Sequence, residues 1–115
     1  MSFELPRCKV TIVKLTVNQD LIKEFIADEL VGEYLEDGRE DAGICDRFQP
    51  GQEFIIEHPF SMPEGFCPWA WADIRQDILS IAMGGNIPWM KREGMKLSGC
   101  SDWFRPVYFK IERLD

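Results

Sequence analysis

The chain is poor in several of the groups on which common chemistries depend. It has one histidine, His58, so a two-histidine metal site or an ordinary histidine relay has nothing to draw on. His58 stands directly before Pro59, which marks a strand-end surface position more readily than a general base. No two of the cysteines form a C-x-x-C pair, which removes the redoxin motif and the usual zinc-ribbon spacing. No glycine-rich loop joins a strand to a helix, so the simplest nucleotide-binding reading is absent as well. Thirteen basic residues face twenty acidic ones, giving a formal net charge of −7. A nucleic-acid backbone or an anionic membrane is therefore not an expected partner. No run approaches the roughly 20 apolar residues needed to span a bilayer. The opening MSFELPRCKV has neither a basic n-region nor an apolar h-region, so a cytoplasmic location is expected.

What is present is a globular composition, 45% hydrophobic and 29% charged over 115 residues, enough for one ordinary core. A single domain over 1–115 is expected, with 1–7 a flexible lead-in. Its centre is the stretch Phe66 to Gly85, where Cys67, Trp71, Ile74, Ile78, Ile81 and Ala82 recur at helical spacing. Asp73, Arg75, Gln76, Asp77 and Ser80 fall largely on the other side. Cys67 sits at the cap position and Pro68 at the first helical position, where a missing N–H costs nothing. Gly84 and Gly85 supply the positive-φ stop. A core helix over Pro68–Met83 follows.

Before it, Cys8 to Val17 reads as a strand with Cys8, Val10 and Ile12 on one side and Thr11, Val13, Leu15 and Val17 on the other. Apolar residues on both sides imply a strand covered twice, or one that twists between two cores. Asn18 is a good helix cap, and Leu21, Ile22, Phe25, Ile26 and Leu30 give one apolar side to a helix over Gln19–Val31. The segment Glu33 to Gly43 is acidic and carries the turn pair Asp37-Gly38. It reads as a solvated loop; a divalent-cation set of Glu36, Asp37, Glu40 and Asp41 fails the EF-hand spacing. Gln52 to His58 and Val107 to Leu114 alternate as half-buried strands, with Met95 to Cys100 a shorter one between. The fold class is α+β: one small domain with a mixed or mainly antiparallel sheet of about four strands and two helices packed on it.

Four short signatures carry a resemblance. They are C-x-x-F-x-x-G-x-E-F-I from Cys45, G-F-C-x-x-A-W around Cys67, the M-G-G from Met83, and C-x-D-x-x-R-P-V-x-F-K-I-E-R from Cys100. Together they resemble a family of small, roughly hundred-residue prokaryotic proteins of uncharacterised function. The resemblance covers most of the chain from Cys8 onward. It implies cysteines at the places of Cys45, Cys67 and Cys100 as part of the pattern, and no reaction. The chain departs from it at Trp103, where glycine is more typical, and in its longer acidic loop.

Cys67 is the candidate reactive thiol, because a helix N-terminus presents unpaired N–H groups that favour thiolate over thiol. Its alternative is plain packing as a small hydrophobe beneath Phe66 and Trp71. Cys45, Cys67 and Cys100 each adjoin the end of an element and are candidates to converge. No metal is assigned; three thiolates with Asp102 or His58 could hold one, and a transient disulfide between two of the three is the alternative to a metal. Trp69 and Trp89, near element ends, are candidates to line a binding pocket or a subunit interface. Arg105 either pairs with Asp102 or receives an anionic ligand. Two readings follow: a non-catalytic binding or self-assembly module, with a small-molecule ligand or a homodimer as partner, or a thiol-dependent enzyme or ligand- or metal-binding protein centred on Cys67. No cofactor is implied by any motif.

Overall fold

The computed structural model describes residues 4–35 and 42–114. Glu36, Asp37, Glu40 and Asp41, the cation set considered above, lie outside the described residues, as does the Asp37-Gly38 turn. Among the described residues there are four strands and three helices in the order β1 (Cys8–Leu15), α1 (Gln19–Phe25), α2 (Asp28–Tyr34), β2 (Glu53–Ile56), α3 (Pro68–Ala82), β3 (Met95–Gly99) and β4 (Val107–Arg113). The strands form one sheet in the order β2-β1-β4-β3, with every pairing antiparallel. This is the α+β architecture the sequence implies. No helix among the described residues is long and apolar enough to cross a membrane.

The two-sided apolar pattern of β1 has a specific cause. Cys8, Val10 and Ile12 point into the core, and the register against β4 then shifts between Ile12 and Lys14. Val13 is the extra residue of this bulge and is 43% exposed. The bulge inverts the alternation, so that Leu15, opposite Val107, returns to the core side. The core-facing side of β1 is thus apolar along its whole length, and no second core is needed.

That face is covered by α3. Ile74, Ile78 and Ile81 are buried against Val10, Ile12, Phe109 and Ile111, and Ala70 lets the first turn approach closely. Phe48, Phe54, Phe66 and Phe109 close one end of this core, with ring centroids 4.9–5.9 Å apart. The end of α3 is a Schellman turn: Gly84 N–H donates to Ile81 O and Gly85 N–H to Ser80 O. Gly84 takes φ +101°, whereas Gly85 is required for space, since a Cβ there would stand 2.7 Å from Ser80 O. Arg113 on β4 adds donors to Ile81 O and Gly85 O, locking the helix end to the sheet.

The expected helix over Gln19–Val31 is two. Ile26 and Ala27 are extended, and α2 restarts with Asp28 and Glu29 in its first turn, where negative charge favours a new N-terminus over a helix interior. The pair packs chiefly on itself rather than on the sheet. Ile22 is fully buried, but Phe25 remains 67% exposed. The lead-in is also partly anchored: Leu5 packs on the core and Arg7 O accepts the Leu114 N–H.

Candidate functional site

α3 has a second flank, and it is acidic. Asp73 and Asp77, one turn apart, do not face solvent as the spacing alone implied but turn toward β3 and the chain beyond it. Lys96 and Ser98, on the inward face of edge strand β3, both bond Asp77. An inward charge of this kind also blunts an edge strand against further pairing. Asp73 accepts the backbone N–H of Ser101 at 2.7 Å and its hydroxyl at 2.9 Å. Ser101 Oγ in turn accepts the indole N–H of Trp69 at 3.0 Å. The first two turns of α3 are therefore clamped to the β3–β4 connection.

Between these clamped elements lies a cavity of about 520 Å³. Its walls come from three places in the chain: Cys45 to Phe48, the start of α3 with Cys67, Trp69 and Ala70, and the β3–β4 connection from Cys100 to Arg105. Tyr34 at the end of α2 and Val107 at the start of β4 complete them. The three cysteines singled out from the sequence thus share one cavity, together with Asp102, Arg105 and Trp69. Trp89 does not line it; that residue stands 84% exposed in the loop between α3 and β3. His58 is also elsewhere, with Nδ1 accepting the Phe60 N–H at 3.2 Å.

Arg105 is held in place. Asp102 Oδ1 accepts the backbone N–H groups of Phe104 and Arg105, both at 3.1 Å, and Oδ2 accepts Arg105 Nε at 3.2 Å. The guanidinium carbon lies 5.3 Å from the centre of the Tyr34 ring. The local salt bridge and the anion-receiving role are therefore compatible, because Asp102 takes the Nε proton and leaves both terminal nitrogens for another acceptor. Asn18 caps α1 by position but not by side chain. Its amide instead donates to Trp103 O at 2.6 Å, and Asn18 N–H donates to Phe104 O at 2.9 Å. The root of the α1–α2 arm is in this way tied to the rim of the cavity.

The thiols are not equivalent. Cys67 is the N-cap residue of α3, yet its side chain makes no capping bond. Cys100 Sγ receives the Val107 N–H at 3.4 Å. Burial pushes the Cys45 thiol up, more than a backbone hydrogen bond from Arg47 and the Arg105 charge pull it down; Asp46 and Cys100 push it further up. Cys45, Cys67 and Cys100 are free thiols, and all three also pack against the core. Among the described residues no three of His, Cys, Asp and Glu are placed to hold a metal ion. The thiols share a cavity without converging on one point.

Tyr34, Ser101 and Phe48 were not legible as site residues. Tyr34 enters the cavity wall from the end of α2, beyond the expected helix, and the Asp73–Ser101 clamp spans 28 positions with no local signal. No protein-family model, curated protein or solved structure matches the chain, so the site is read from its own geometry.

Proposed function

We propose that this protein is a binding module for a small molecule with an apolar body and one anionic group, held in the cavity between α3 and the β3–β4 connection. The observation that carries this reading is Arg105, fixed by Asp102 and Tyr34 on the wall of a cavity lined mainly by aromatic and thiol side chains, with the exposed Asp46 and Arg47 the other charged residues of its lining. A volume of about 520 Å³ suits such a ligand, since small-molecule sites are usually ~300–1,000 Å³ with few polar groups among apolar ones. Free thiols belong in a reducing compartment, which fits a cytoplasmic protein.

The test uses two-dimensional NMR with linear monocarboxylates of graded chain length. Binding is expected to move the indole resonances of Trp69 and Trp103 while leaving that of Trp89 in place. Arg105→Ala should abolish the shifts. Absence of any shift at millimolar carboxylate, or shifts that persist unchanged in Arg105→Ala, would overturn the reading.

Self-association is the second reading, favoured by the exposure of Trp69 and Trp103 at the cavity mouth. A homodimer joined there would compete with ligand. Sedimentation at rising concentration distinguishes the two, because a monomer throughout removes the dimer.

A further inference from the structure

Resting on that ligand-binding reading, we infer that the cavity is a thiol–disulfide exchange site whose substrate is a small disulfide bearing a carboxylate. Three features of the cavity lead there: three thiols, a cation held by its own carboxylate partner, and a largely apolar lining. A carboxylate seated on the terminal nitrogens of Arg105 places the rest of an extended small molecule against the thiol-bearing walls.

Cys67 is the attacking residue. It stands at the start of a fifteen-residue helix, its side chain is not spent on a cap, and it lines the cavity. Burial disfavours ionisation of Cys45, and the Val107 N–H holds Cys100 Sγ against the backbone at the start of β4, which leaves Cys67 the least tethered of the three sulfurs. In the first step Cys67 gives its proton to solvent and its sulfur attacks one sulfur of the small disulfide. The Cys67–S bond forms as the small S–S bond breaks, and the released thiolate takes a proton from solvent. One protein thiol and one small disulfide thereby become one mixed disulfide at Cys67 and one small thiol.

The experiment incubates the full chain with 3,3′-dithiodipropionate, with neutral 2-hydroxyethyl disulfide and with cationic cystamine at equal concentration. Products are followed by intact mass and peptide mapping. The dicarboxylate is expected to react at least about tenfold faster than the other two, the advantage one charge-assisted hydrogen bond supplies. The product should be a Cys67 mixed disulfide, with Cys8, buried in the core, unmodified. In Arg105→Ala the rate ratio between dicarboxylate and neutral disulfide should fall to about one. Equal rates for all three reagents in the unaltered protein, or first modification at a residue other than Cys67, would overturn the inference. Octanedioate, the same shape with methylenes for sulfurs, separates the two levels. If it shifts the Trp69 and Trp103 resonances while the disulfide is not exchanged, the ligand-binding reading stands and the exchange inference falls; if neither occurs, both fall.

Discussion

The two flanks of α3 are held by different physics. One flank, Ile74, Ile78 and Ile81, is buried against β1 and β4 and contributes stability through apolar area and close packing. The other, Asp73 and Asp77, meets β3 and the β3–β4 connection through partly buried hydrogen bonds and one ion pair. Apolar burial is non-directional, so it fixes that the helix lies on the sheet but tolerates small slides. The carboxylates bind particular donors at particular distances, and so fix where the cavity walls stand relative to each other. A single helix thereby separates folding from placement of the site.

The comparison can be broken most forcefully on the apolar flank. Ile78→Ala should cost about 3–4 kcal/mol, because it removes a fully buried branched side chain from a packed core. Chemical denaturation reads this directly. A loss below about 1 kcal/mol would show that α3 is not held by burial as described.

On the polar flank, Asp73→Ala should cost less, about 1–3 kcal/mol, since it leaves the partly buried Ser101 N–H without its acceptor. Its larger effect should be on the site. The Trp69 indole loses the fixed position of its Ser101 acceptor, so its NMR resonance should broaden or move while the Trp89 resonance stays put. Asp77→Ala should cost about 1 kcal/mol and leave the Trp69 resonance unchanged, because its partners Lys96 and Ser98 lie on the strand rather than at the cavity. If Asp73→Ala and Asp77→Ala disturb Trp69 equally, the assignment of placement to Asp73 is wrong.

The smallest expected effect lies on the opposite face of the sheet, at Glu112. Burial there would raise its carboxyl, but the Lys110 ammonium paired with Oε1 and the Arg92 guanidinium hydrogen-bonded to Oε2 outweigh it and hold the carboxyl below the usual range. A depressed folded-state pKa stabilises above the unfolded carboxylate value of about 4.3, and that stabilisation is lost as pH falls through the lower folded value. Glu112→Gln should therefore lower stability at neutral pH by a few tenths of a kcal/mol, given the exposure of Arg92. The deficit relative to the unaltered protein should shrink as pH drops below about 4. A deficit that grows on acidification would contradict the sign.

Among the thiols, Cys45 offers a matching test of the cavity wall. Its alkylation rate should rise only above pH ~8.5, the free-thiol value, since burial opposes its ionisation. A half-maximal rate below that value would mean that Arg105 rather than burial governs the wall at Cys45.

Much of the fold was readable because it is written in short-range periodicity. Pro68 at the first turn, isoleucines at spacings of three and four, and the Gly84-Gly85 stop specify α3 almost residue by residue. The alternations Phe54/Ile56 and Val107/Phe109/Ile111 specify β2 and β4 in the same way. Each of these depends on which face of its own element a residue occupies, and that is fixed by backbone geometry. Three decisions needed the assembled structure. The bulge at Val13 follows from matching β1 to β4, so its parity switch cannot be seen in β1 alone. The inward turn of Asp73 and Asp77 depends on donors that arrive on β3 and after it, about twenty to thirty positions later in the chain. The cavity itself joins Tyr34, Cys45, Cys67, Cys100 and Arg105 from segments far apart in sequence. The sequence could name four of these as chemically interesting, because residue type is local information. That they line one cavity is a matter of long-range packing, which only the tertiary structure decides.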